Sequence, residues 1–126
     1  MRLLLDSHVV LWWLDDHEDL GASARDRIRD ASAVLVSVVT LWELGIKRAL
    51  GKLHLPEGLV PVIAQAGFEL LPLVAAHAEL APALPFHHRD PFDRMLIAQA
   101  LLEGLTLVTA DDQLRVYDIE TVDARR

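Results

Sequence analysis

Four short, almost continuously apolar runs constrain the fold of this chain more than any other feature. They are Arg2–Leu5, Ala33–Ser37, Phe68–Leu73 and Leu105–Thr109. Strands with one wet face alternate apolar and polar residues, whereas strands covered on both faces read as unbroken hydrophobic stretches. The segments between these runs are too long for hairpins and carry helical patterns. Helices are expected over His8–Asp15, over Ser23–Asp30 with Ser23 as N-cap, and over Leu41–Leu50 stopped by Gly51. Others are expected over Leu59–Ala66, Ala75–Ala81 and Pro91–Leu102, the last ended by Glu103-Gly104. Lys52–Gly58 and Pro82–Pro91 read as loops, and residues 118–122 as a short edge strand. Strands alternating with helices require parallel pairing through right-handed crossovers. The fold class is therefore α/β, a three-layer α/β/α sandwich around a short parallel sheet.

A chain of 126 residues suits a single domain over its whole length, 1–126. Apolar residues make up 52% of it, and its mean hydropathy of +0.27 is high for a small soluble monomer. The surplus points to association, as a homodimer or with a protein partner. The net charge of −7 argues against a simple electrostatic nucleic-acid binder, which would be basic. Cysteine is absent, which excludes a disulfide framework and a thiolate metal site and suits a cytoplasmic protein. Asp6 interrupts the N-terminal apolar run, unlike a signal peptide, and the stretch from Ala31 to Trp42 falls short of the ~20 residues needed to span a bilayer. No membrane association is expected.

In open parallel sheets, ligands bind beyond the carboxyl ends of the strands. This chain places acids there repeatedly. Asp6 ends the first strand, Glu43 lies in the first turn of the helix after the second, Asp90 and Asp93 open the helix leading to the fourth, and Asp111 and Asp112 follow the fourth. Singly, each acid has a capping explanation. Thr40-x-x-Glu43 reads as a capping box, and Asp90-Pro91-Phe92-Asp93 as N-cap, Pro at N1 and acid at N3. Asp6 and Asp111 are compatible with ordinary caps, and Asp112 with a cap or solvent exposure. Convergence distinguishes the two explanations. Acids from separate segments at one edge repel unless protonated or bridged by cations, and capping does not require helices to point at one another. Oxygen ligands without Cys or spaced His suit Mg²⁺ or Mn²⁺ over zinc.

The same residues carry a family resemblance. Leu4-Leu5-Asp6-Ser7-His8, Ser37-Val-Val-Thr-Leu-Trp-Glu43-Leu, His88-Arg-Asp-Pro-Phe-Asp93-Arg-Met-Leu-Ile-Ala-Gln-Ala100 and Leu107-Val-Thr-Ala-Asp111 resemble PIN-domain ribonucleases, and more closely the VapC-type toxins of toxin–antitoxin pairs. The four motifs stand in the family's order over nearly the whole chain. The resemblance implies a PIN-like fold, endoribonuclease activity at an acidic Mg²⁺ or Mn²⁺ site, and a cognate antitoxin that blocks it. It puts the metal-binding and catalytic acids at Asp6, Glu43, Asp93 and Asp111. Asp90 belongs to the longer motif of this subgroup and is assigned a supporting position beside them.

Ser7 and Thr109 flank the acids and hydrogen-bond a metal water, orient a carboxylate or simply form turns. His8 is expected to pack, and His87 and His88, adjacent in a loop, to face solvent. Arg89 and Arg94 are candidates for phosphate contacts, with an ion pair to a pocket acid as the alternative for Arg94. Arg25, Arg27, Arg29, Lys47, Arg48 and Lys52 form either a solvated face or a track for an RNA backbone. Trp12, Trp13 and Trp42 are core residues by default, but two adjacent tryptophans are not expected to share one core, so one is placed at an interface. A haloacid-dehalogenase-like phosphatase needs Asp-x-Asp after the first strand, where this chain has His8. A receiver domain needs a late lysine, and the two lysines are Lys47 and Lys52. A non-catalytic interaction module and a structure-specific DNA nuclease remain the alternatives to RNA cleavage.

Overall fold

The structure is a computed structural model that describes residues 1–55 and 58–126. Pro56 and Glu57, part of the expected 52–58 loop, lie outside the described residues. In chain order the elements are β1 (Arg2–Leu5), α1 (Ser7–Leu14), α2 (Ala22–Asp30), β2 (Ala33–Ser37), α3 (Val38–Ala49) and α4 (Leu59–Gln65). They continue with β3 (Glu69–Leu71), α5 (Ala75–Ala83), α6 (Pro91–Glu103), β4 (Thr106–Thr109), a 3-10 turn at Leu114–Val116 and β5 (Thr121–Asp123). The strands form one sheet in the order β3-β2-β1-β4-β5, and every pair is parallel. This is the expected sandwich. Among the described residues, no helix is long and apolar enough to cross a membrane.

The continuous apolar runs fill both faces at once. Successive side chains of a strand point to opposite sides, so Leu3, Leu5, Val34, Val36 and Val108 pack one layer, while Leu4, Leu35 and Leu107 pack the other. The first layer seats α1, α2 and the start of α4, and the second seats α5 and α6. Chain order reverses at β1, which leads first to β2 and later has β4 on its other side. The crevice beyond β1 and β4 is thus the topological switch point where α/β sheets take ligands.

Two helix starts differ from expectation. The N-cap of α2 is Gly21, not Ser23, because the C-terminal strand closes over it: the Gly21 N–H donates to Ala124 O (2.9 Å) and the Ser23 N–H to Arg126 O (2.9 Å). The cap of α3 is Ser37, whose hydroxyl accepts the Val39 N–H (3.1 Å). That moves Thr40 inside the helix and Glu43 into its second turn, so the expected capping box does not form. A Cβ at Gly21 would stand 2.1 Å from the Arg126 backbone carbon and 2.6 Å from that of Arg125. Gly21→Ala should therefore displace the chain end and lower stability by about 1–3 kcal/mol in urea denaturation, as overpacking does. Parent-like stability would show that the closure of the C-terminus on α2 is not a tight contact.

Candidate active site

Asp6 is the first residue past β1, where the strand hands over to α1. Its backbone N–H still donates to Val108 O (3.1 Å), in register with β4, while one carboxylate oxygen accepts the Val9 N–H (3.1 Å) and caps the helix. The other oxygen accepts the Thr109 hydroxyl. Thr109 is fully buried and its oxygen also accepts the Asp111 N–H (3.0 Å), so one side chain fixes the acids following two neighbouring strands. Burial raises the Asp6 pKa, the Thr109 and Val9 hydrogen bonds oppose that rise, and the charge of Asp111 adds to it.

Glu43 enters from α3 and is also buried. Its two oxygens are held separately, one by the Ser7 hydroxyl and one by Lys47 Nζ (3.1 Å), one turn along the same helix. Asp90 caps α6 by accepting the Phe92 N–H (2.8 Å) and the Asp93 N–H (3.2 Å). This cap leaves the Asp93 side chain free to face the sheet edge. Burial lifts the Asp93 pKa from 3.8 to about 7, with the charges of Asp90, Asp6 and Glu43 adding to the rise and His88 opposing it. Carboxylates from β1, α3 and α6 therefore share one field at the switch point. Asp111 comes from the turn after β4, where one oxygen accepts the Gln113 N–H (2.9 Å).

The Ser7 and Thr109 hydroxyls thus donate to the Glu43 and Asp6 carboxylates. His8, expected to pack, is exposed, and three more residues depart from expectation. His88 is not a solvent-facing loop histidine: its Nε2 lies 3.0 Å from Asp111 Oδ2 and 3.4 Å from Asp93 Oδ2. One potential ligand atom from each of His88, Asp93 and Asp111 falls within 4.8 Å of the others. Arg94 is buried and pairs with none of the site acids. Its guanidinium donates to the carbonyls of Ala81 (2.9 Å), Leu84 (2.8 Å), Pro85 (3.0 Å) and His88 (3.2 Å), with the Phe86 ring 4.4 Å away. Such saturation of one guanidinium by loop carbonyls is a structural role. The third is Trp42. It is 65% exposed against Phe92, with ring centroids 5.3 Å apart, whereas Trp12 and Trp13 are half-buried against the same core layer.

The donor set is carboxylate-rich, and the charges crowd enough to hold Asp93 near neutrality, so the residues fit a hard divalent cation of the Mg²⁺ or Mn²⁺ kind. Capping accounts for Asp6 and Asp90. It does not account for Glu43, or for the burial of Asp93 among like charges.

Residues 3–120 match the family model described as PIN domain. The chain is 32% identical to Ribonuclease VapC22 of Mycobacterium tuberculosis, over 91% of each sequence. Among solved structures it is similar to VapBC2 from Rickettsia felis bound to a promoter DNA fragment (TM-score 0.71, 16% identity, 98% of each chain covered). It is equally similar to DNA-bound VapBC from Salmonella typhimurium (TM-score 0.71, 19% identity, 98% of each chain).

An acid whose pKa is raised by folding keeps its proton in the native state after the unfolded chain has lost it. Stability is then lost as pH rises between the unfolded and folded values. For Asp93 that window runs from 3.8 to about 7. In chelator-treated protein, Asp93→Asn should gain on the parent in melting temperature across that window, with a constant gap above it. A gap independent of pH would contradict the buried, charge-crowded placement of Asp93.

Proposed function

The chain belongs to the PIN-domain family, and from that membership we propose that it is a metal-dependent endoribonuclease, the toxin of a toxin–antitoxin pair. The observation carrying this reading is the convergence of Asp6, Glu43, Asp93 and Asp111 from four segments on the switch point of the sheet, with Asp93 pushed to about 7. Asp6, Asp93 and Asp111 would hold Mg²⁺ or Mn²⁺, with Glu43 beside them. Such an ion lowers the pKa of bound water and offsets charge on a phosphodiester.

The remaining chemistry belongs to the chain. Thr109 and the Val9 N–H fix Asp6, and Ser7 and Lys47 fix Glu43, so the carboxylates are oriented before substrate arrives. Asp93 would hold the ion as a carboxylate, and with its pKa raised to about 7 the metal affinity should rise with pH through that range. A non-catalytic module whose acids only cap helices is disfavoured by Glu43, which sits beyond the first turn of α3. With a net charge of −7, RNA would be gripped through the metal more than through surface cations.

The antitoxin reading has its own support. A cleft lined by Leu11, Trp12, Leu14, Leu55, Leu59 and Val62 offers apolar anchor points for a partner helix. The acidic edge offers a seat for a partner's arginine in place of the cation. Exposed Trp42, Ile46 and Leu50 recur every fourth residue along α3, which supports a homodimer.

Two outcomes test the proposal. Purified protein should cleave RNA with Mg²⁺ or Mn²⁺ and not with chelator. Asp6→Asn and Asp93→Asn should each remain folded by circular dichroism and lose activity by orders of magnitude, on the order of 10²-fold or more. Parent-like cleavage by either variant would remove that residue from the site. Light scattering at tens of micromolar should give the mass of a dimer, and a monomer there would count against self-association.

A further inference from the structure

We propose that His88 is a positioning residue of the acidic edge, holding the Asp111 carboxylate beside Asp93 through its Nε2–H and not ligating the metal. The proposal rests on the reading of those acids as a metal site. The Asp90 backbone N–H donates to His88 Nδ1 (3.0 Å). A ring nitrogen that accepts a hydrogen bond carries no proton, so in the neutral imidazole the proton sits on Nε2. Nε2 in turn is hydrogen-bonded to Asp111 Oδ2 at 3.0 Å, with Asp93 Oδ2 lying 3.4 Å away. A metal ligand would need the bare lone pair at Nε2. Moving the proton to Nδ1 would then set it against the Asp90 N–H, two donors facing each other. Proximity alone makes His88 a candidate ligand; the partner of its other nitrogen makes it a donor.

The ring is held by a buried clasp. The His88 N–H donates to Tyr117 Oη (3.1 Å), and the Tyr117 hydroxyl donates to Pro85 O (2.6 Å). Arg94 Nη1 donates to His88 O (3.2 Å) and to Tyr117 Oη (3.3 Å), so the phenol oxygen uses its proton and both lone pairs. Tyr117 and Arg94 are both buried. Arg94 directly follows Asp93 on α6, so the loop that carries His88 is referenced to the same helical turn as that acid. His88, Asp90 and Arg94 therefore act as one device: cap, donor and clasp.

The full chain tests this with Mg²⁺ as the probe. His88→Gln puts an amide N–H₂ where Nε2 stands, and its Mg²⁺ affinity by calorimetry should stay close to the parent's. His88→Asn keeps an acceptor for the Asp90 N–H but cannot reach the acids. Its affinity should fall about 10–100-fold, as loss of an outer-sphere partner does, while its metal-free melting temperature stays unchanged. Nitrogen-15 NMR of the parent should show Nε2 protonated and Nδ1 bare, both without metal and with saturating Mg²⁺. Loss of the Nε2 proton on Mg²⁺ addition would make His88 a ligand and overturn the proposal, as would an Asn variant that binds like the parent. A parent that binds no Mg²⁺ would instead defeat the metal reading. In that case the metal-free tautomer still decides the placement of the donor, and a protonated Nδ1 overturns it.

Discussion

Crowding of carboxylates at the end of the sheet is the constraint on which the rest of the structure depends. Buried like charges are unfavourable, and here they are tolerated because nearly every oxygen has a specific partner. Thr109 and the Val9 N–H serve Asp6, Ser7 and Lys47 serve Glu43, and His88 and the Gln113 N–H serve Asp111. Asp93 lies 3.4 Å from His88, and burial together with its acidic neighbours raises its pKa to about 7. Local hydrogen bonds of this kind hold only if the segments bearing them cannot drift apart. The interlocked layers on both faces of a parallel sheet supply that rigidity, since a densely packed core deforms little.

The layers were legible because strands covered on both faces must be continuously apolar, and Leu3–Leu5 and Val34–Val36 are. The acids were legible because strand ends and helix starts are where such sheets act, and Asp90 announces α6 by an N-cap followed by Pro. His88 did not read as a site residue because two adjacent loop histidines show no ligand spacing of their own. The local signal was available: a ring nitrogen two residues before Asp90 can take its N–H, and this turns Nε2 toward the acids. The fate of Arg94 depends on the carbonyls of residues 81–88, whose loop path no periodicity encodes. Glu43 was misplaced by one turn because Ser37 and Thr40 are equally good caps on paper. Only the end of β2 decides between them.

A chain with a net charge of −7 that acts on a polyanion is consistent once its acids are sorted by position. On the proposed reading, those at the switch point would work through a cation and be offset by it. Several outer ones are paired, Asp16 with Arg25 (2.8 Å), Asp112 with Arg115 and Asp123 with Arg115 (2.9 Å). Exposed pairs of this kind add little stability but mute the negative surface. On that reading the cation would be the link between an acidic fold and an acidic substrate.

The most direct measurement of that link is the melting temperature of metal-free protein titrated with Mn²⁺, against NaCl at equal ionic strength. Metal binds the folded site and finds no preformed site in the unfolded chain. At about 100 times the dissociation constant the gain is roughly 2.7 kcal/mol, several degrees for a domain of this size. Clustered carboxylates predict that rise for Mn²⁺ and not for Na⁺, with a smaller rise in Glu43→Gln and Asp111→Asn. A melting temperature that stays flat through millimolar Mn²⁺ would contradict the metal site and return these acids to a purely structural role.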